Sequence, residues 1–101
     1  MLIHRWQAEV LPAPIQFKML LEREGLDPFV EEFPAGLKVS EHRHPFTEVR
    51  YVVTGELLFN VAGNQVLLRA GDRIEIPANT KHSHTNNGIE LCVCIVAQKI
   101  A

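Results

Sequence analysis

Turn-forming residues break this chain at short, nearly regular intervals, and that spacing limits the fold more than any other feature. Gly36, Thr54-Gly55, Ala62-Gly63-Asn64, Ala70-Gly71-Asp72, Pro77-Ala78-Asn79 and Asn86-Asn87-Gly88 are separated by runs of four to nine residues rich in Val, Ile, Leu, Phe and Tyr. Many short strands joined by tight turns pack as a sandwich or barrel, so the predicted class is all-β. One segment departs from the pattern. From Ile15 to Glu24, Ile15, Met19 and Leu20 recur at helical spacing, Pro14 suits a first-turn position and Gly25 suits a C-terminal cap. A single short helix is therefore expected before the β region. Leu2 to Gln7 reads as an N-terminal strand, with Pro12 and Pro14 keeping its connection to the helix irregular. The 101 residues make one domain, with the N-terminal strand and helix over about 1–26 and a barrel over about 28–98.

Composition excludes several classes of function. Hydrophobic residues make up 47% of the chain, too many for a disordered segment. With 10 Lys and Arg against 12 Asp and Glu, and no basic stripe, the chain lacks the charge to bind nucleic acid by neutralising phosphates. The longest apolar run, Leu91 to Ala97, falls far short of the roughly 20 residues that span a bilayer, and no charged segment leads into an apolar core at the N-terminus. A soluble, cytoplasmic protein with neither a nucleic-acid nor a membrane partner is expected. Cys92 and Cys94, two apart in an apolar run, leave the same face of one strand. Their spacing suits a disulfide poorly, and two buried thiols are expected.

Four of the five histidines fall in two groups, His42/His44 and His82/His84, each beside a turn signal. Two residues apart on an extended strand, paired imidazoles leave one face about 6.6 Å apart along the chain, close enough to share a metal ion. Glu48 has matching parity, but straight strand would carry it about 13 Å from His44, out of reach of the same ion. The chain must therefore turn, and Pro45-Phe46-Thr47 is placed to return Glu48 on an adjacent strand. On that strand Val49, Tyr51 and Val53 share one face, and Glu48, Arg50, Val52 and Thr54 share the other.

The first spacing runs Gly36, five residues, His42-x-His44, three residues, Glu48, six residues, Gly55. The second runs Gly71, five residues, Pro77-x-Asn79, two residues, His82, three residues, Asn86. These resemble the two motifs of the cupin superfamily, G-x5-H-x-H-x3-E-x6-G and G-x5-P-x-G-x2-H-x3-N, with 15 residues between them as in small microbial cupins. The match covers residues 36–86, and its one departure is Asn79 where the pattern has glycine. Asn is the residue that best tolerates the left-handed conformation expected there.

The resemblance implies a jelly-roll type β-barrel in which His42, His44, Glu48 and His82 hold one divalent metal ion. The donor set suits Fe, Mn, Ni, Cu or Zn and leaves one or two positions for water, O₂ or substrate. Arg50, sharing the Glu48 face, is the candidate anchor for a substrate carboxylate, unless it pairs with Glu75 or Glu41 at the rim. His84 and Glu48 are the candidates to move protons, while His4 matches no motif and is expected on the surface. The row Val49, Tyr51, Val53 needs cover from the helix or from a second subunit, which makes a homodimer the expected assembly, in keeping with small cupins. Two functions follow. One is a mononuclear metal-dependent enzyme, oxygenase in type or alternatively an isomerase or epimerase, acting on a small anionic molecule; the other is a sensor that binds a metabolite or metal without turnover.

Overall fold

A computed structural model of the chain describes residues 1–100. Its elements are β1 (Leu2–His4), α1 (Pro14–Arg23), β2 (Phe29–Phe33), β3 (Lys38–His42), β4 (Thr47–Thr54), β5 (Glu56–Val61), β6 (Asn64–Arg69), β7 (Arg73–Ile76), β8 (His82–Thr85) and β9 (Cys92–Lys99). They form two antiparallel sheets, ordered β1-β7-β4-β9-β2 and β3-β8-β5-β6. This is the expected jelly roll with one short helix, but the sheets do not join by hydrogen bonds: the fold is a two-layered sandwich rather than a closed barrel. Between the layers lies an apolar core that includes Phe33, Val52, Leu57, Phe59, Leu68 and Ile74, to which Cys92 and Cys94 add the predicted buried thiols, free and 3.8 Å apart. No helix is long and apolar enough to cross a membrane among the described residues.

The helix runs one residue earlier than expected and buries a different face. Phe17 and Leu21, four apart and so stacked on one side, are buried, whereas Ile15, Met19 and Leu20 are exposed. Ile15 and Met19 sit two positions from that pair, about 200° around the helix axis, and the two faces compete for one sheet. Pro14 takes the first turn and Gly25, at φ +80°, takes the left-handed cap as predicted. Phe17 and Leu21 cover Val49, Val53, Ile95 and Ala97, so the outward row of β4 is roofed within the chain. Tyr51 is half-buried rather than largely buried. Its ring tilts against Phe17 at 5.1 Å, and its hydroxyl accepts a 3.1 Å hydrogen bond from Arg73, which also pairs with Glu24.

Three local departures shape the interior. β1 stops at His4, short of Gln7, because Arg5 and Trp6 leave the sheet for Asp72: Arg5 Nη1 and the Trp6 N–H donate to its carboxylate at 2.8 and 3.0 Å. A bulge between Val52 and Thr54 turns Thr54 out to solvent, away from the inner face its parity assigned. The third departure is the crossing from β3 to β4. Pro45 and Phe46 carry the chain to the opposite sheet, not to an adjacent strand, so Glu48 faces the histidines across the sandwich.

Candidate metal centre

His42 closes β3 and His82 opens β8, and the two strands pair so that these residues stand opposite each other. Their register slips between Val39, opposite His84, and His42, opposite His82, so three steps on β3 match two on β8. Strict alternation would send residues 39 and 42 to opposite faces; the bulge lets Val39 pack on the core while His42 meets His82. His44 follows in the crossing. The turn of Pro77, Ala78 and Asn79 holds its backbone: Asn79, at φ +60° as expected, donates its N–H to the His44 carbonyl at 2.7 Å.

One ligand nitrogen from each of His42, His44 and His82 lies within 4.8 Å of the other two. Glu48 Oε1 reaches the group from β4, 3.6 Å from His44 Nε2 and 3.9 Å from His82 Nε2. His42 Nδ1 is 2.7 Å from the Ser40 carbonyl, and His82 Nδ1 is 2.9 Å from the Thr80 carbonyl. Because a carbonyl only accepts, both Nδ1 atoms carry the proton and both Nε2 lone pairs are free for a ligand bond. His82 Nε2 is buried with no hydrogen-bond partner among the described residues. An orphaned lone pair of that kind is costly unless something binds it, and three imidazoles with a carboxylate are the donor set a divalent ion takes. The residues fit the metal that the sequence implies.

Behind the four candidate ligands lies a charged network. Arg50 is 2% exposed; its Nε donates to Glu48 Oε2 at 3.2 Å and its Nη2 to Glu31 Oε1 at 2.7 Å. Burial opposes its charge, but Glu48, Cys94 and Glu31 more than offset that and raise its pKa. Burial likewise works to protonate Glu48, and the charge and hydrogen bond of Arg50 outweigh it, so Glu48 stays ionised below the usual carboxylate range. The rim partners considered for Arg50 pair elsewhere, Glu41 with Lys81 and Glu75 with Arg73 and Lys99. His84 sits between Phe33 and Phe59, at ring distances of 5.0 and 4.9 Å, with neither nitrogen bonded among the described residues. Burial, then the charge of Arg50, lowers its pKa to about 3, so near pH 7 it is a neutral imidazole. His4 is exposed, away from the site.

Sequence reasoning missed Glu31 and Phe46. On β2, Phe29, Glu31 and Phe33 share the face that lines the cavity, and one acid between two phenylalanines at matching parity was the available signal. Phe46 stacks on the His44 ring at 4.7 Å and 8°. The cavity in front of the ligands is about 190 Å³, with Phe29, Val39, Phe46 and Val96 as its apolar walls.

Residues 29–97 match the cupin domain family. The chain belongs to that family. Over 64 residues it is 38% identical to the acireductone dioxygenase of Bacillus licheniformis, an alignment covering 58% of this chain and 35% of that protein. It is also 35% identical over 54 residues to the quercetin 2,3-dioxygenase of Bacillus subtilis, covering 52% of this chain and 16% of the relative. This cupin thus matches only about a third or less of the length of these curated relatives. Among solved structures, the cupin domain of Schizosaccharomyces pombe Cnp3 superposes with a TM-score of 0.71 at 16% identity, covering 75% of this chain and 56% of that one, a likeness of fold alone.

Proposed function

We propose that this cupin is a mononuclear metal-dependent enzyme, oxygenase in type, acting on a small anionic organic molecule. His42, His44 and His82 would hold one divalent ion, Fe, Mn, Ni, Cu or Zn, through Nε2, with Glu48 Oε1 as the fourth donor. The buried, unpartnered Nε2 of His82 carries the proposal, because a core imidazole retained for packing alone would have its nitrogen bonded. Likeness to two dioxygenases supports the reaction class.

A bound divalent ion would supply Lewis-acid polarisation of an oxygen donor and, if redox-active, electron transfer to O₂. The remaining work falls to the protein. Ser40 and Thr80 fix two imidazoles in the ligating tautomer, and Arg50 fixes Glu48 by its Oε2, turning Oε1 toward the histidines. With two donors committed, Arg50 would favour an anion by its charge rather than as the direct carboxylate anchor expected from sequence. His84, neutral near pH 7, would hydrogen-bond a substrate oxygen or pass a proton between its two nitrogens, while the apolar walls keep bulk water from the reacting atoms. At about 190 Å³ the cavity is smaller than the roughly 300–1,000 Å³ of drug-sized ligand sites, which suits a compact substrate.

The low pKa of His84 also favours the second function, a sensor or binding module without turnover, since a neutral imidazole offers no acid near pH 7 beside the proposed ligands. Metal analysis of anaerobically purified protein, followed by an oxygen-electrode screen against small carboxylates and diketones, separates them. Oxygen uptake lost in His82→Ala supports the oxygenase; ligand binding with neither oxygen uptake nor conversion of the ligand by any metal-loaded form supports the sensor. The homodimer is proposed as well, now on the exposed Phe29 and Val30 of edge strand β2, because α1 already covers the β4 row. Sedimentation as a monomer at micromolar concentration would remove it.

A further inference from the structure

Glu31 stands where a ligand carboxylate was expected. Its Oε1 accepts from Arg50 Nη2 at 2.7 Å, and it does so from an edge strand, with its own side chain 38% exposed and that of Arg50 2% exposed. Glu48 takes Nε of the same guanidinium, and Nη1 is buried without a hydrogen-bond partner among the described residues. Nε and Nη2 of Arg50 are therefore each engaged by a carboxylate of the chain itself. Counting formal charges, Arg50 contributes one positive and Glu48 and Glu31 one negative each, which sums to minus one. Imidazole ligands bind a metal in their neutral form. A divalent ion brings the pocket to plus one.

We propose that Glu31 sets the charge class of the substrate, acting as a resident anion on Arg50 so that the metal-loaded pocket is completed by a monoanion that chelates through adjacent oxygens, and a dianion is turned away. The inference rests on the metal-dependent function proposed above and narrows its substrate to compounds such as 2-hydroxy or 2-oxo monocarboxylates. In a small cavity with apolar walls, net charge is poorly solvated, so a ligand that leaves the pocket neutral binds best. A second carboxylate has nowhere favourable to go, because the cation that would receive it is capped by Glu31, and the two like charges would meet.

The test uses the full chain loaded with zinc, which takes no part in redox chemistry, and calorimetry with lactate, malate and β-malamate. Malate is lactate with a second carboxylate, and β-malamate has the size of malate with that carboxylate replaced by an amide. Zinc content is measured before and after each titration, so that chelation of zinc away from the protein is recognised. Wild type is expected to bind lactate and β-malamate at least tenfold tighter than malate. Glu31→Gln should tighten malate by at least tenfold while moving lactate less than threefold, and Glu31→Asp, which keeps the charge, should retain the wild-type order. Glu31 is half-exposed, so unchanged zinc stoichiometry and thermal midpoint are expected in both variants. An unaltered preference in Glu31→Gln, with lactate still bound, overturns the role of Glu31 and leaves the proposed function standing. Failure of all three compounds to bind zinc-loaded wild type overturns the substrate class assigned here, whereas failure of wild type to take up zinc at all overturns the function on which it rests.

Discussion

Two buried polar clusters in this molecule have opposite characters. Around Asp72 every strong group is matched: its carboxylate accepts from Arg5 Nη1, the Trp6 N–H and the Arg69 N–H at 2.8, 3.0 and 2.9 Å. Gly71 beside it, at φ +94°, leaves room for Trp6, since a Cβ there would come within 2.6 Å of the Trp6 Cβ. Around Glu48, by contrast, His82 Nε2, both nitrogens of His84 and Arg50 Nη1 are buried without partners among the described residues. A closed cluster holds the chain together, whereas an open one is held by the rest of the fold and is completed from outside. The first ties the N-terminal arm to the sheet, and the second is the candidate metal centre.

The largest expected effect separates the two by stability. Asp72→Ala strands the Trp6 and Arg69 N–H groups and should cost roughly 2–4 kcal/mol, about 1–2 for each stranded donor, read as a lower denaturation midpoint. Its zinc stoichiometry should stay that of wild type; a variant that loses zinc as well would mean the clusters are not independent. Next comes the metal itself. Zinc at 100 times its dissociation constant should stabilise wild type by about 2.7 kcal/mol through mass action. His44→Ala should remove that gain while hardly changing the metal-free chain, because His44 is half-buried and its loss opens no core cavity. Thermal shift with and without zinc checks both.

The same contrast explains what the sequence made legible. The candidate ligand set was readable because His42, His44, Glu48 and His82 lie at fixed local intervals beside turns and the fold brings their side chains together, and the left-handed Asn79 was readable because few residues tolerate that conformation. Parity also placed Glu48 and Arg50 on the inner face of β4 with Val49 and Val53 on the outer one. Contacts set by sheet order were not readable. Glu31 meets Arg50 because β9 lies between β2 and β4, and Arg5 meets Asp72 because β1 pairs with β7, pairings that no short window of sequence encodes. The bulge in β3 and the crossing between sheets escaped for the same reason, and the buried face of α1 was decided by the sheet beneath it.

Acid should sharpen the comparison by a smaller, graded effect. Burial raises the pKa of Asp72, but the Arg69 and Trp6 N–H groups and Arg5 outweigh it, so the folded value lies below the ordinary one. A depressed carboxylate pKa contributes stability that is full above the unfolded value of about 3.9 and is lost as pH falls through the folded value. The stability gap between wild type and Asp72→Asn should therefore hold from pH 7 down to about pH 5 and close toward pH 2. Metal binding fails earlier on acidification, because protons compete for imidazole nitrogen. Burial, ahead of the opposing pull of Glu48, lowers the pKa of His44, so that competition at His44 begins below its ordinary value of about 6.5. A zinc titration followed over pH 4 to 7 should lose the ion while the Asp72 gap is still open, and simultaneous loss would contradict the separation.

The smallest effect concerns the ligand that the fold holds least firmly. His42 and His82 are each tied by a carbonyl at Nδ1, but no protein hydrogen bond fixes the His44 ring among the described residues; what orients it is the parallel face of Phe46 at 4.7 Å. Aromatic pairs contribute about 0.5–1.5 kcal/mol beyond the area they bury, so Phe46→Ala should weaken zinc by about 2–10-fold. Phe46→Tyr, which keeps the stacked face, should restore most of that affinity. Neither change should alter the Asp72 cluster, but because Phe46 is half-buried in the cavity wall, Phe46→Ala should also lower the denaturation midpoint of the metal-free chain, which Phe46→Tyr should largely keep. If Phe46→Ala binds zinc as wild type does, the His44 ring is oriented by the ion and not by its neighbour, and the open cluster is less preorganised than its other two histidines suggest.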